Sequence, residues 1–407
     1  MDLDQLAALR TPAGTAALDL AAGLAGGDPL AAAAALRSAG VPAGLAAGAL
    51  TQAELRRRAA RKFGPAAARM FFTRAGLEQA TRAVVADRRA ARLRAAGVEA
   101  LADLGCGLGA DALAAARAGI RVYGVEADPL TAAMATANAE AAGVADRFTV
   151  ECGDATAFDV NRVDGVFCDP ARRRAGTGRR IFDPAAYSPP WDFVTGLAER
   201  VPRTVVKVAP GIDHTLIPAG AEAEWVSVDG ELVEAALWCG PLATAPRRAT
   251  LLRVGREVGR LAGGGTAEAP VGPVRRYLYD PDGAVVRAHL VAEFAETVTG
   301  VLADPSIAYV YADAPTPSPF GRCLEITDVL PFSLKRLRAL LRERGVGRVE
   351  ILKRGSALEP EQLRRDLRLA GPASASVVLT RVAGAPTVLL CQPVPADAAA
   401  GPHPPGR

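Results

Sequence analysis

The chain has 407 residues, half of them apolar, which suffices for two or three folded domains and excludes an intrinsically disordered protein. Its formal net charge is only +4, and only four of the 48 basic residues are lysines. An excess of arginine together with abundant Ala, Gly and Pro is typical of a GC-rich coding sequence, so it does not by itself indicate a nucleic-acid surface. The first residues are acidic and no run of about 18 uncharged apolar residues occurs, so we expect a soluble, cytoplasmic protein with no secretory signal and no membrane span.

Six cysteines are scattered through the chain without a C-x-x-C pair, and there are three histidines. A zinc site needs closely spaced cysteine and histidine ligands, so we expect no metal. In a long cytoplasmic chain, such cysteines are expected to be reduced and mostly buried thiols.

Residues 1–95 are interpreted as an N-terminal helical region. Alanine and leucine recur through residues 18–37, glycine and proline interrupt this pattern at 40–42, and a second helical stretch covers about 51–62. Thr73 is placed to cap a third helix that continues to Arg94.

Between residues 96 and 255, short apolar runs alternate with helical patterns. Strands are predicted at residues 100–104, 121–125, 148–152, 165–168 and 204–208, with two more inside 223–239, and helices at 111–118 and 129–142. Such alternation is typical of a doubly wound parallel sheet, so we predict an α/β fold with a Rossmann-like domain over residues 96–255.

The remaining chain is interpreted as a linker, a small domain and a tail. A glycine triplet at 263–265 indicates the linker, and residues 256–321 are assigned to it together with a small α/β segment that has short strands at 277–279 and 307–310. Residues 322–392 are predicted to form a compact α/β domain, with strands at 323–326, 348–353, 376–381 and 387–391 and helices at 334–344 and 360–369. Residues 393–407 are rich in proline and alanine and are predicted to be disordered.

The most distinctive motif directly follows the first predicted strand and reads Asp-Leu-Gly-Cys-Gly-Leu-Gly from Asp103 onwards. Its glycines permit a tight turn and let a ligand touch the backbone. The glycine spacing fits nicotinamide dinucleotides and S-adenosylmethionine (SAM) alike. Asp103 favours SAM, because a carboxylate attracts its cationic amino group and repels a pyrophosphate. We therefore predict that Asp103, Gly105, Gly107 and Gly109 bind SAM.

Two further acids end predicted strands. Glu126 follows the loop by about 20 residues, the position from which a carboxylate accepts hydrogen bonds from ribose hydroxyls. Asp154 ends the third strand and is predicted to accept a hydrogen bond from the adenine amino group, which a dinucleotide enzyme does not require. Asp111 and Asp128 are interpreted as helix caps.

The fourth predicted strand is followed by Asp169-Pro170-Ala171-Arg172-Arg173. An acid and a proline at this point resemble the Asp/Asn-Pro-Pro-aromatic tract of methyltransferases that modify nitrogen atoms. A carboxylate and a backbone carbonyl that accept the two hydrogens of an aryl amine keep its lone pair directed at the methyl group. We predict that Asp169, Pro170 and Arg172 are catalytic, with Ala171 in place of the second proline and Arg172 in place of the aromatic residue.

Two cations near this tract are predicted to bind the substrate. Arg173 belongs to an arginine cluster suited to clamping phosphates, with a solvated loop as the alternative. Lys207 ends the fifth predicted strand and either contacts the substrate or supports the site from behind.

Residues 71–81, 103–110, 169–173 and the C-terminal module together resemble the bacterial class I SAM-dependent methyltransferases that carry a C-terminal THUMP-like domain. The catalytic half is also similar to the trimethylguanosine synthase and RNA guanine-N2 methyltransferase group. The resemblance implies SAM as cofactor, a Rossmann-like sheet between N-terminal helices and a smaller α/β domain, and, because THUMP domains bind RNA, an RNA partner.

The sequence therefore predicts a cytoplasmic SAM-dependent methyltransferase that acts on a base nitrogen of RNA. Two alternatives stay open: a methyltransferase of small molecules, and an RNA-binding protein with a degenerate methyltransferase core. A nicotinamide oxidoreductase is a third, which Asp103 and Asp154 disfavour.

Overall fold

The computed structural model describes residues 1–170 and 188–394. Two compact units divide the chain. The first contains Met1–Glu222 and Ala236–Thr244, and the second contains Ala223–Ala235 and the residues from Ala245 onwards. Those predicted site residues that lie in the described ranges all belong to the first unit.

The N-terminal part of the first unit is helical, as its alanine and leucine periodicity predicts. Its helices are α1 (Leu3–Leu9), α2 (Pro12–Ala22), α3 (Pro29–Ser38), α4 (Ala43–Phe63), α5 (Arg74–Gln79) and α6 (Ala83–Ala95). Local sequence sets where they begin: Asp2 caps α1 by accepting from the backbone N–H of Gln5, and Thr11 and Asp28 cap α2 and α3, each ahead of a proline at the first helical position.

The pattern over residues 18–37 spans two helices rather than one. It begins in α2 and continues in α3, and the chain leaves the helical path between them at residues 23–28. Gly26 adopts a φ of +87° there, which glycine reaches without steric cost.

The helix expected from Thr73 to Arg94 is also divided, into α5 and α6. Thr73 does cap α5, but Ala80 leaves the helical conformation at its end. The ammonium of Lys62 in α4 donates hydrogen bonds of 2.8 Å to three carbonyls at this end, those of Leu77 and Glu78 in α5 and of Ala80 directly after it. A lysine side chain thus satisfies backbone groups that a continuing helix would have used.

A parallel sheet forms the centre of the first unit. Its strands are β1 (Ala100–Leu104), β2 (Arg121–Glu126), β3 (Phe148–Cys152), β4 (Gly165–Cys168) and β5 (Thr204–Val208). They lie side by side in the order β3-β2-β1-β4-β5, all parallel, and are connected through α7 (Ala110–Arg117), α8 (Pro129–Ala141) and α9 (Trp191–Arg200). The predicted strand–helix alternation is confirmed, and the carboxyl ends of the five strands meet at one edge of the sheet.

Four further strands follow: β6 (Glu222–Val228), β7 (Glu231–Trp238), β8 (Arg247–Arg253) and β9 (Arg256–Gly263). In the second unit they lie in the order β7-β6-β8-β9. In the first unit the chain leaving β7 adjoins β5, since the N–H of Cys239 donates to the carbonyl of Thr204 at 2.9 Å. The two strands predicted inside 223–239 are confirmed. The β8–β9 pair was not predicted, because its residues are rich in arginine and the glycine triplet that suggested a linker starts at the last residue of β9.

The second unit also contains a seven-stranded sheet in the order β11-β12-β10-β13-β16-β15-β14. Its strands are β10 (Tyr277–Pro281), β11 (Val301–Leu302), β12 (Val310–Ala312), β13 (Gly321–Pro331), β14 (Val346–Lys353), β15 (Ala373–Val382) and β16 (Ala385–Pro393), and its helices are α10 (Gly283–Arg287), α11 (Val291–Thr297), α12 (Leu334–Glu343) and α13 (Pro360–Leu367). The strands and helices predicted between residues 322 and 392 are present, but the strand predicted at 323–326 continues to Pro331 as β13. The strand expected at 307–310 starts only at Val310, because Asp304 closes a turn by accepting from the N–H of Ser306 at 2.9 Å.

Across the described ranges, no helix combines the length and the apolar character needed to cross a membrane. Nor do these residues contain a group of three or more side chains suited to holding a metal ion. The cysteines are free thiols, and four of the six are buried, as predicted.

Candidate functional site

The glycine motif forms the turn between β1 and α7. Gly105, Gly107 and Gly109 have φ values of +85°, +54° and +85°, a region that disfavours any side chain. A Cβ atom on Gly109 would lie 2.8 Å from the ring of Phe148, and one on Gly105 would lie 3.2 Å from the carbonyl oxygen of Asp169. A Cβ on Gly107 would meet nothing within 4 Å, so the loop is closed on its inner side and open above Gly107.

Asp103 lies at the base of this loop and is 1 % exposed. No described residue hydrogen-bonds its Oδ1 atom, although the atom is buried. Burial raises the pKa of Asp103 well above its usual value, and repulsion from Asp111 and Asp169 raises it further, against the opposing effect of Arg89 and Lys207. A buried carboxylate oxygen without a partner suits a ligand that brings its own cation, such as the amino group of SAM.

Glu126 joins the end of β2 to the loop. Its Oε2 atom accepts from the N–H of Gly107, and its Oε1 atom accepts from the N–H of Asp128, at 3.0 Å each. Each oxygen retains a lone pair for a further donor, which fits the two hydroxyls of a ribose. Asp128 itself caps α8, as predicted.

Asp154 is held next to Glu126 at the end of β3. The N–H of Gly153 donates to the Glu126 carbonyl at 3.0 Å. Asp154 is exposed, and its Oδ1 atom accepts from the N–H and the hydroxyl of Thr156 at 2.8 Å each, which lowers its pKa. The turn therefore fixes an ionised carboxylate at the edge of the loop, as an adenine-binding acid requires.

Asp169 and Lys207 meet where β4 and β5 end. The Lys207 ammonium lies 2.6 Å from Oδ2 of Asp169, and the side chains of Lys207 and Asp169 are 7 % and 25 % exposed. Lys207 also approaches the carbonyl of Gln79, the last residue of α5, at 3.5 Å. Pro170 is described and buried. Arg172 and Arg173, predicted to act in catalysis and substrate binding, lie outside the described residues.

Arg89 in α6 is a site residue that sequence reasoning missed. It is buried, forms an ion pair with Asp111, and lies 4.5 Å from the ring centre of Phe167. Asp111 consequently pairs with Arg89 instead of capping α7, where Gly109 occupies the cap position. The helical spacing of Val85, Arg89 and Leu93 could have placed this arginine on the inner face of α6.

Two buried amides were also missed. Asn138 in α8 accepts from the N–H of Phe71 at 2.7 Å and donates to the carbonyls of Phe71 and Leu108. Gln52 in α4 pairs in the same way with both backbone groups of Phe72. The chain ahead of α5 is thereby attached to the glycine loop, and single amides within helical patterns gave no sequence indication of it.

Family models match three parts of the chain. A model described as "Methyltransferase domain" matches residues 101–173, one described as "THUMP domain-like" matches 321–393, and a domain of unknown function matches 2–59. Two Mycobacterium tuberculosis proteins, from strains CDC 1551 and H37Rv, are each named as an uncharacterized S-adenosylmethionine-dependent methyltransferase. Each is 36% identical to this chain over 358 residues, which cover 83% of this chain and 95% of the relative.

A solved structure from Porphyromonas gingivalis W83, of a protein thought to be a methyltransferase, has a similar fold. It superposes with a TM-score of 0.70 at 21% identity and covers 96% of this chain and 98% of its own. At that identity the likeness concerns the fold, which extends over both units of the chain.

Proposed function

Because the chain belongs to the family of SAM-dependent methyltransferases and SAM is its methyl donor, we propose that it transfers a methyl group to a base nitrogen of a structured RNA. The class I methyltransferase expected from the sequence is confirmed, with its α/β fold, N-terminal helices and C-terminal THUMP-like domain. The observation that carries the RNA proposal is the presence, on one chain, of Asp169 beside the glycine loop and of a basic THUMP-like domain.

The proposal gives each part of SAM a partner at the carboxyl edge of the sheet. Asp103 binds the amino group, and the backbone at Gly105, Gly107 and Gly109 faces the methionine and ribose portions. Glu126 accepts from the ribose hydroxyls, and Asp154 accepts from the adenine amino group. The support for this arrangement is the unpartnered Oδ1 of Asp103 and the open space above Gly107.

Asp169 and Pro170 are proposed to orient the acceptor. SAM, when bound, supplies an electrophilic methyl group on its sulfonium. Oδ1 of Asp169 and the Pro170 carbonyl accept the two amine hydrogens, so the nitrogen lone pair stays directed at the methyl carbon. Orientation and exclusion of water provide most of the rate enhancement in such an in-line displacement. Arg172 is proposed to stack on the base and Arg173 to bind a phosphate.

Charge in the THUMP-like domain supports an RNA partner. Residues 322–369 contain twelve Lys and Arg against seven Asp and Glu, an excess larger than that of the whole chain. On α12, Lys335, Arg336 and Arg342 are exposed, and none has an ion-pair partner among the described residues. Cations of this kind attract an RNA backbone while the target base is extruded into the catalytic site. A cytoplasmic location is part of this proposal.

The test is methyl transfer from tritiated SAM to total cellular RNA, followed by nucleoside analysis. Wild-type protein is expected to label a methylated base, and Asp169→Ala is expected to abolish labelling while SAM affinity stays within a few-fold. Asp146→Ala, which removes an exposed carboxylate from the same unit, is the matched control and should label normally. Label confined to small molecules of a cell extract would instead support the small-molecule alternative. Intact SAM binding with no transfer at all would support the degenerate core.

A further inference from the structure

The geometry points to Lys207 as the positioning residue of Asp169: its ammonium holds Oδ2 and leaves Oδ1 directed at the acceptor nitrogen. Lys207 then acts through Asp169 and does not bind the substrate directly. This inference rests on the role proposed above for Asp169.

The pairing of charges in the site supports it. The charges that interact at Asp103 come from two further carboxylates and two cations, which are Asp111, Asp169, Arg89 and Lys207. Arg89 is engaged by Asp111. Among the described residues, Lys207 is therefore the cation that pairs with Asp169, and it lies too deep in the protein to reach a phosphate in solvent.

A buried ammonium has one rigid position only if it is held from several sides. The β5 strand that carries Lys207 is buried along its whole length. The Gln79 carbonyl approaches the ammonium from α5, and Lys62 fixes the neighbouring carbonyls of that short helix. Lys207 is thus fixed between β5 and α5 before any ligand arrives.

The same helix is packed against the glycine loop. A Cβ atom on Gly76 of α5 would lie 2.8 Å from the side chain of Leu108. The Asp169 carbonyl also lies against Gly105. Lys207, Asp169 and the loop therefore form one connected frame, so the direction of the Asp169 carboxylate is set relative to the cofactor-binding loop.

The chemical consequence concerns what Asp169 does. A carboxylate with one oxygen bound to an ammonium cannot rotate freely, and its remaining oxygen accepts hydrogen bonds in a fixed plane. Asp169 is therefore suited to orienting an acceptor amine.

The pairing of Lys207 with Asp169 can be tested without a methyl acceptor, by comparing how variants bind a charged and an uncharged SAM analogue. Sinefungin is a SAM analogue with a protonated amine where the methyl group stands, and S-adenosylhomocysteine lacks that charge. The affinity for sinefungin divided by the affinity for S-adenosylhomocysteine, both from calorimetry at neutral pH, therefore reports the net charge of the protein around the methyl position. Asp169→Asn should lower the ratio about tenfold and Lys207→Met should raise it about tenfold. The double variant should return to within about threefold of wild type, because it is neutral again.

Arg147→Met is the matched control, since it removes an exposed cation of the same unit that pairs with Asp146 and not with Asp169. Its ratio should stay within about twofold of wild type. If Lys207→Met leaves the ratio unchanged while Asp169→Asn lowers it, the pairing is refuted. If Asp169→Asn itself has no effect, Asp169 is not at the methyl position, and the proposed function loses its acceptor residue. If Lys207→Met folds poorly, a comparison of the double variant with Asp169→Asn still tests the pairing, because the double variant should have the higher affinity ratio.

Transfer to total RNA in a single turnover gives a second measure. Lys207→Met should slow the methyl-transfer step at least about tenfold with RNA affinity unchanged, and Lys207→Arg should recover part of the rate. A loss of RNA affinity in Lys207→Met would overturn the inference in favour of direct substrate binding.

Discussion

At the scale of single residues, Asp103 has the most unusual environment in the site. It is a buried carboxyl close to two other acids, and its pKa is raised by burial first and by Asp111 and Asp169 second. The folded state therefore binds the Asp103 proton more tightly than the unfolded state does. As the pH rises above the ordinary pKa of an aspartate, the folded state loses stability because Asp103 must ionise in a buried position. A cationic ligand at Oδ1 reverses that preference, so ligand binding and loss of the proton are coupled.

SAM affinity should therefore rise with pH between about pH 5 and 7, below the range in which the ligand's own amino group titrates. Binding should release a proton, which is seen when calorimetric enthalpies are compared in buffers of different ionisation enthalpy. Asp103→Asn should remove the pH dependence and lower SAM affinity by roughly 10- to 100-fold, because a charge-assisted hydrogen bond is lost.

The control for this prediction is Asp154→Asn. The pKa of Asp154 is lowered by its bonds to Thr156, so Asp154 is already ionised over this range. The variant should weaken SAM binding without changing the pH slope. A wild-type affinity that is flat over the same range would contradict the role of Asp103.

At the scale of elements, two glycines in the turn from β1 to α7 have different surroundings. Gly109 adjoins the protein interior at the ring of Phe148, whereas Gly107 adjoins open space. Both have positive φ, so alanine is strained at either position, but the steric consequence differs.

Gly109→Ala should lower the free energy of unfolding by about 2–4 kcal/mol, through strain and the clash with Phe148 together. Gly107→Ala should lower it by about 1 kcal/mol from backbone strain alone, yet impair SAM binding because its methyl group occupies the open space. Chemical denaturation and SAM titration of both variants check this. Equal destabilisation by the two substitutions would show that the contact with Phe148 is unimportant.

The elements of the sheet could be predicted from sequence because parallel strands buried on both faces are short apolar runs, as in β4 and β5. The ends of α5 could not, because Lys62 lies in another helix and terminates α5 through tertiary contacts. The same limit applies to the site. Acids at strand ends can be recognised in the sequence, whereas the pairing of Lys207 with Asp169 can be predicted only when it is known which strands are neighbours in the sheet.

At the scale of the whole molecule, the chain carries both a methyltransferase domain and a THUMP-like domain, whose four strands share a sheet with β10, β11 and β12. The exposed cations on α12, Lys335, Arg336 and Arg342, have no ion-pair partner among the described residues. Lys353 and Arg364, by contrast, pair with Glu359 and Glu361.

Replacing Lys335, Arg336 and Arg342 together by glutamine should weaken RNA binding and reduce the slope of log affinity against log salt by about 2–3, close to one for each phosphate that is no longer neutralised. SAM affinity should not change. The matched triple variant, with glutamine at Lys353, Arg364 and Arg365, removes as many charges from cations that already have side-chain partners. Equal losses of RNA affinity in the two variants would refute a specific RNA surface on α12.

Asn138 connects two regions of the first unit that are distant in sequence. One amide in the middle of α8 serves both Phe71, which precedes the methyltransferase match at residues 101–173, and Leu108, which lies inside it. Separating the two regions would leave the backbone N–H and carbonyl of Phe71 and the side-chain oxygen of Asn138 without these partners. The methyltransferase match and the segment that precedes it are therefore connected by buried hydrogen bonds within the first unit. A recombination event that exchanged the first 95 residues would have to bring its own partner for Asn138, which restricts how this architecture can be assembled from parts.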